Sequence, residues 1–234
     1  MTGLSDRDPV WTDDLHVLWE RRFWLGDTAL LLPGASAALR RRLSAAPRTD
    51  GVRDVVCGPT DIVLYLAHPL VGEEAVLSWL TEGARAKEGD SADESRLHRF
   101  AVRYGGPATD LEEISRRLGM TAEAVIALHA QCVYEVAALG FAPGFAYLAE
   151  TPPALQLPRK SSPRLSVAAG AVAVAHRYTA IYPRAGAAGW WVVGHVGADD
   201  VRRLWLPEYR RPSLLSIGDR VLFHDAGGDG RDGR

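Results

Sequence analysis

Apolar residues in the first hundred positions fall into short runs divided by turn-forming residues. Ala29 to Leu32 reads as a short buried strand closed by Pro33-Gly34. Ser36 to Ala45 follows as a helix of good helix formers, with Pro47 just beyond its end. Gly51 to Cys57 and Asp61 to Ala67 read as two strands about a Gly58-Pro59 turn, the second rich in Ile, Val, Leu and Tyr. A helix is expected from Glu73 to Ala86 and a strand from Leu97 to Tyr104. This order is that of an α+β unit of the split βαβ, ferredoxin-like kind. The stretch Glu88 to Ser95 is polar, small and without apolar anchors, so it reads as a linker or exposed loop and places a domain boundary near residue 90. The acidic start, with Asp6, Asp8, Asp13 and Asp14, is given no element.

The second half changes character. Asp110, with Glu113 three residues on, predicts a capping box for a helix that stops at Gly119. Thr121 predicts the cap of another, in which Val125, Leu128, Cys132, Val136 and Leu139 recur at helical spacing until Gly140. From Leu165 onward short valine-rich runs alternate with Gly, Pro and Ala: Leu165 to Ala168, Ala171 to His176, Ala180 to Tyr182, Trp190 to Val196 and Arg220 to His224. That spacing predicts a β-barrel or sandwich. The glycine-rich tail from Gly227 is expected to be disordered. The expected division is 1–90, 91–225 and a tail 226–234.

Composition narrows the possibilities. With 234 residues, 47% apolar and 24% charged, the chain can bury one large core or two small ones. Its formal charge of −2 offers no field for nucleic acid or an anionic membrane, so neither is expected as a partner. Cys57 and Cys132 lack a Cys-x-x-Cys setting, which argues against a disulfide framework or structural zinc. No run approaches about 18 apolar residues and no signal-peptide pattern is present, so a cytoplasmic protein is expected.

Candidate chemistry concentrates between Gly140 and His195. Phe141 to Tyr147 encloses the turn Pro143-Gly144, and two uses are open: Phe141 and Phe145 plug the barrel, or the loop binds substrate and offers N–H groups to an oxyanion. Arg159, Lys160 and Arg164 lie in a proline-held segment that can receive a carboxylate or phosphate, or simply be a solvated loop. Tyr182 and Trp190, at strand ends, either line a pocket or pack in the barrel. His129 lies on an apolar helical stripe, where a hydrogen-bonded core histidine competes with a proton-transfer role. His176 and His195 fall on separate strands without a third ligand, so no metal ligands are assigned. Phosphate-loop, nucleophile-elbow and dinucleotide signatures are absent, and any ATP dependence must use partners or an unrecognised site.

Taken in order, several motifs resemble one family. They are Gly26-Asp27-x-Ala29-Leu30, Val102-x-Tyr104-Gly105-Gly106, Gly140-Phe141-x-Pro143-Gly144-Phe145-x-Tyr147-Leu148, Pro163-Arg164, Ala169-Gly170-x-Val172-x-Val174-Ala175, Ile181-Tyr182-Pro183, Gly189-Trp190 and Pro212-Ser213-Leu214-Leu215-x-x-Gly218-Asp219-x-Val221. From about Trp24 to Phe223 the chain is similar to the B subunit of 5-oxoprolinase, also called allophanate hydrolase subunit 1, in a family that includes the sporulation kinase inhibitor of bacilli. The resemblance implies a small α+β domain followed by a cyclophilin-like β-barrel. It implies a larger paralogous partner subunit, and ATP-dependent hydrolysis of 5-oxoproline to glutamate by the complex, which supplies the ATP site. The paired subunits are similar to the carboxyltransferase region of urea carboxylase. On this reading His129 and His195 are the catalytic candidates, and Phe141, Pro143, Gly144, Phe145, Arg164, Tyr178, Tyr182 and Trp190 bind substrate. The chain departs from the family pattern at Tyr178 and Ala180, which flank Thr179 where Gln-Thr-Gly is common. It departs again at Ala188 and at His195, which stands in place of arginine. Arginine's permanent charge and fork are lost there. Two other classes remain: a regulator that inhibits a histidine kinase through its barrel, and a prolyl isomerase, which rests on fold alone.

Overall fold

The computed structural model describes residues 13–85, 95–209 and 211–227, and the chain divides into two compact units, Met1–Glu94 and Ser95–Arg234. Most of the acidic start, the polar stretch up to Glu94 and the tail beyond 227 lie outside the described residues.

The first unit runs α1 (Asp13–Glu20), β1 (Phe23–Trp24), β2 (Ala29–Pro33), α2 (Ala37–Ala45), β3 (Val52–Cys57), β4 (Asp61–Leu66) and α3 (Glu73–Arg85). Its sheet has the order β1-β2-β4-β3, antiparallel throughout. β4 therefore lies between β2 and β3, which α2 connects, and that is the split βαβ arrangement. The remaining edge is taken by the two-residue β1, whereas Leu97–Tyr104 belongs to the second unit. Alternation along β4 buries Ile62, Leu64 and Leu66 with Leu39 and Leu43 of α2 and Val76, Trp79 and Leu80 of α3. Ser36 caps α2 by accepting from the Leu39 N–H at 3.2 Å.

The second unit contains β5 (Leu97–Tyr104), α4 (Leu111–Leu118), α5 (Ala122–Ala130), β6 (Val133–Leu139), β7 (Ala146–Ala149), a 3₁₀ turn (Pro153–Leu155) and β8 (Arg164–Val167). It continues with β9 (Ala171–Ala175), β10 (Tyr178–Ile181), β11 (Gly186–Ala188), β12 (Trp191–Val196), α6 (Ala198–Leu204) and β13 (Arg220–Asp225). Seven strands close a barrel in the order β10-β7-β6-β13-β5-β12-β9, with β10 paired back to β9, while β8 and β11 form a separate ribbon. Closure leaves these strands no free edge. The core holds Phe100, Val102, Tyr134, Val136, Leu148, Val172, Val174, Ile181, Val221 and Phe223, sealed by Leu111, Ile114 and Val125 of the two helices. Where β12 crosses β5, a Cβ on Gly194 would lie 2.6 Å from the Arg103 carbonyl oxygen, so only glycine fits that contact.

One expected helix is shorter than its pattern. α5 ends at Ala130, and Val136 and Leu139 lie on β6. From Val133 to Val136 exposed and buried residues alternate, a period of two that ends at a register shift between Val136 and Ala138, where Ala137 is buried as well. Cys132 and Val136 stand four apart by coincidence, and pairing with β7 and β13 decides the conformation. Thr121 does cap α5, accepting from the Ala124 N–H at 3.2 Å, and Gly119 ends α4 at φ 64°. Asp110 precedes α4 but its side chain makes no capping bond.

Candidate functional site

The loop from Gly140 to Phe145 joins β6 to β7 and is held by three short-range bonds. Gly140 N–H donates to the Phe145 carbonyl (3.3 Å), Ala142 N–H to Gly140 (2.8 Å) and Phe145 N–H to Ala142 (2.9 Å). Among the described residues the N–H groups of Phe141 and Gly144 have no hydrogen-bond partner. Phe141 adopts φ 68°, a left-handed conformation costing about 1–2 kcal/mol for a non-glycine residue, and the residue is 64% exposed. Gly144 has φ 81°, and a Cβ there would meet the Leu204 carbonyl oxygen at 3.0 Å. The loop walls a pocket of about 410 Å³ whose other lining residues are Leu139, Trp205 and Ser213.

Phe145 is the hub of an aromatic collar. Its ring centroid is 5.0 Å from Phe141, 5.1 Å from Tyr147, 5.4 Å from Tyr182 and 5.9 Å from Trp190, all edge to face. Tyr147 also meets Trp190 and Tyr178, and Phe141 meets Tyr182. The alternation of β9 makes room for these rings. Val172 and Val174 enter the barrel core, whereas Ala171, Ala173 and Ala175 share a separate cluster with Phe145, Tyr182, Ala188 and Trp190. Neither Phe141 nor Phe145 plugs the barrel, so that use of the loop is corrected: Phe145 belongs to this outer cluster, the exposed Phe141 packs on it from outside, and both line the pocket wall. Burial, partly offset by Arg159, pushes the Tyr182 hydroxyl up to about 12.

Arg164 stands elsewhere. The buried Asp110 carboxylate accepts from Lys160 Nζ (2.5 Å) and Arg164 Nη2 (2.6 Å) on Oδ1, and from the Val192 N–H (2.8 Å) on Oδ2. Arg164 also donates to the Ala108 carbonyl at 2.8 Å. Lys160 and Arg117 lie over the Trp191 ring at 4.3 and 4.8 Å, and Arg117 binds Glu113 at 2.9 Å. The expected capping box is therefore replaced by an ion network: both carboxylates face cations. Arg164 is partnered by Asp110 and is not an open receiver of substrate.

The two catalytic candidates do not meet. His129 is fully buried, with Nδ1 2.7 Å from the Tyr104 hydroxyl, Nε2 2.9 Å from Thr179 Oγ1, and its ring stacked 4.8 Å from Phe223. Thr179 donates its own hydrogen to the Ala173 carbonyl at 3.1 Å, so it accepts from Nε2–H and leaves Nδ1 to accept from Tyr104. Burial lowers the His129 pKa to about 3, so the ring is neutral. This is a satisfied core histidine. His195 pairs across β12 with Arg103 and Ala171. Its pKa is lowered by partial burial and then by the Arg103 and Arg164 charges. Neither histidine lines the pocket.

The structure thus unites Phe141, Pro143, Gly144 and Phe145 in the pocket and joins Tyr178, Tyr182 and Trp190 to it through the collar. It adds Trp205, which no sequence motif marks, Ser213 and Tyr147, which stand inside quoted motifs without an assigned role, and Asp110, whose partners are 50 and 54 residues away.

A closed barrel carrying this loop and collar, preceded in the chain by a split βαβ unit, defines a domain of the carboxyltransferase type. The chain belongs to the family "carboxyltransferase domain, subdomain C and D", whose pattern matches residues 26–215. It is 33% identical over 215 residues to the B subunit of 5-oxoprolinase from Escherichia coli O157:H7, covering 87% of this chain and 94% of that protein. The crystal structure of TTHA0988 is similar at 36% identity with a TM-score of 0.68, over 85% of this chain and 40% of that one, so this chain spans about two fifths of that structure's length. The Kluyveromyces lactis urea amidolyase aligns with a TM-score of 0.63 over 87% of this chain and 14% of its own, and at 15% identity the likeness is of fold alone. The resemblance read from the motifs holds at the level of the family.

Proposed function

We propose that this protein is one subunit of an ATP-dependent amide hydrolase, acting with a larger paralogous partner on a small carboxylated amide such as 5-oxoproline. The observation that carries this reading is the lining of the pocket. Among the described residues it offers aromatic walls and two uncommitted N–H groups, at Phe141 and Gly144, and no ionisable side chain. Such a surface can hold a flat amide and donate to its carbonyl oxygen as negative charge grows there. On this reading the groups that transfer protons and hold ATP belong to the partner, and the pocket is half of a site. The similarity to proteins named as the B subunit of 5-oxoprolinase supports the substrate class.

Co-expression with the paralogous subunit tests the reading, with glutamate released from 5-oxoproline measured with and without ATP. Activity is expected from the assembled complex and from neither chain alone. A stable complex that is inactive with every combination of ATP and substrate would refute it. Replacing Gly144 by valine is expected to abolish turnover, because the side chain collides with Leu204 and Trp205 and moves the loop.

A further inference from the structure

His195 stands at the margin of the covered part of the barrel's outer face. Val102 and Val196, which pair with each other, enter the core, so the next pair, Arg103 and His195, points outward. On its other side His195 pairs with Ala171, which is fully buried in the outer cluster with Val167 of β8 and Ala188 of β11. The ribbon thus covers the β9 flank of the imidazole, while the β5 flank, where Arg103 is exposed, stays open. Opposed residues of an antiparallel ladder hold their Cβ atoms about 4.5–5.5 Å apart. Gly194, which has no room for a Cβ against the Arg103 carbonyl, fixes the two strands at this approach.

Both side chains are uncommitted. Neither the half-buried His195 ring nor the Arg103 guanidinium makes a hydrogen bond or ion pair with a described residue. Their surroundings supply no counter-charge: β5, β8, β9, β11 and β12 contain neither Asp nor Glu. The nearest acids are engaged elsewhere, Asp110 by Lys160 and Arg164, Glu113 by Arg117, and Asp199 and Asp200 of α6 by Arg202 and Arg203. Like charges set directly opposite one another destabilise a strand pair, and an anion lodged between them reverses the sign.

We propose that Arg103 and His195 form a binding site for a small oxyanion, a carboxylate or a phosphate-type group, on the outer face of the barrel at the edge of the β8–β11 ribbon. The guanidinium offers a fork of N–H donors and the imidazolium one more. Binding carries a proton with it. Burial, then the Arg103 and Arg164 charges, hold the His195 pKa below 6.5, so the free ring is neutral at neutral pH. A bound anion favours the imidazolium, and affinity therefore rises as the pH falls through the His195 pKa. Neither residue lines the pocket, so hydrolysis by the assembled complex tests the functional reading separately from this site.

NMR titration of the full chain, following the His195 ring signals between about pH 8 and 5, tests the proposal. The probes are sulfate, 5-oxoproline and the uncharged 2-pyrrolidinone, with ionic strength held constant by chloride. Sulfate or 5-oxoproline is expected to raise the His195 pKa beyond its value in chloride, and 2-pyrrolidinone to leave it unmoved. Tighter binding of 5-oxoproline identifies a carboxylate site, and tighter binding of sulfate a phosphate-type one. Arg103→Gln should weaken binding about tenfold or more, the loss of a charge-assisted pair, at an unchanged melting temperature because the side chain is exposed. Arg103→Lys should keep part of the affinity, and His195→Gln should remove its pH dependence. A His195 pKa that neither anion moves beyond chloride overturns the site, as does anion affinity that Arg103→Gln leaves intact.

Discussion

His129 shows how a residue suited to catalysis is spent on architecture. Its two nitrogens tie Tyr104 to Thr179 across the barrel interior, and its carbonyl accepts from the Tyr134 hydroxyl at 2.9 Å. Burial moves its pKa from 6.5 to about 3. Between those values the unfolded chain binds a proton that the folded protein refuses. The stabilisation is therefore complete above about pH 6.5 and is lost as the pH falls toward 3, by about 1.4 kcal/mol per pH unit. Denaturant melts between pH 7 and 5 should show that slope, and His129→Gln should remove it while leaving the slope owed to His195, whose pKa is also lowered. An imidazole that titrates near pH 6 by NMR would contradict this account. The sequence left the residue's use open because a stripe of apolar neighbours suits a core histidine and a shielded base equally. Only the positions of Tyr104 and Thr179 decide between them.

Asp110 makes the corresponding point for whole elements. It joins the start of α4 to β12 through the Val192 N–H, and to the segment before β8 through Lys160 and Arg164. Asp110→Asn keeps an acceptor for Val192 but leaves Arg164 without its counter-charge and Lys160 with only the Glu113 carboxylate, at 3.8 Å. A fully buried pair broken this way costs about 3–5 kcal/mol. Lys160 and Arg164 retain 15% and 31% side-chain exposure, and solvent screening reduces the expected loss to about 1–3 kcal/mol. Chemical denaturation should show that loss, and hydrogen exchange should rise over residues 160–167 with α5 unaffected. Unchanged stability would mean that the network is ornamental. The sequence revealed most strands and helices of both units, because alternation and caps are local signals. It read β6 as helix because one spacing fitted both periods, and it read Asp110 as a cap because ionic partners so distant in the chain leave no local mark. Four residues of the pocket were readable for a different reason: they share one short loop, Gly140 to Phe145. Trp205 was not, since the bridge between Trp205 and Ser213 that brings it there is a contact of the folded chain.

The position of β5 fixes what the second unit needs in order to stand alone. The strand pairs in parallel with β13 over six residues, from Leu97 opposite Arg220 to Val102 opposite Asp225, and antiparallel with β12. It is an interior member of the barrel order, so removing it opens the barrel between β12 and β13 and exposes the core around Phe100 and Phe223. A fragment of residues 95–234 retains every strand of the barrel, its helices and the Asp110 network. It should melt in one cooperative transition by circular dichroism. A fragment of residues 105–234 differs only by the loss of β5 and its two preceding residues, yet it should show no cooperative transition. If the longer fragment is unfolded, the barrel depends on the first unit. If the shorter one folds, β5 is dispensable and closure is not what holds the core.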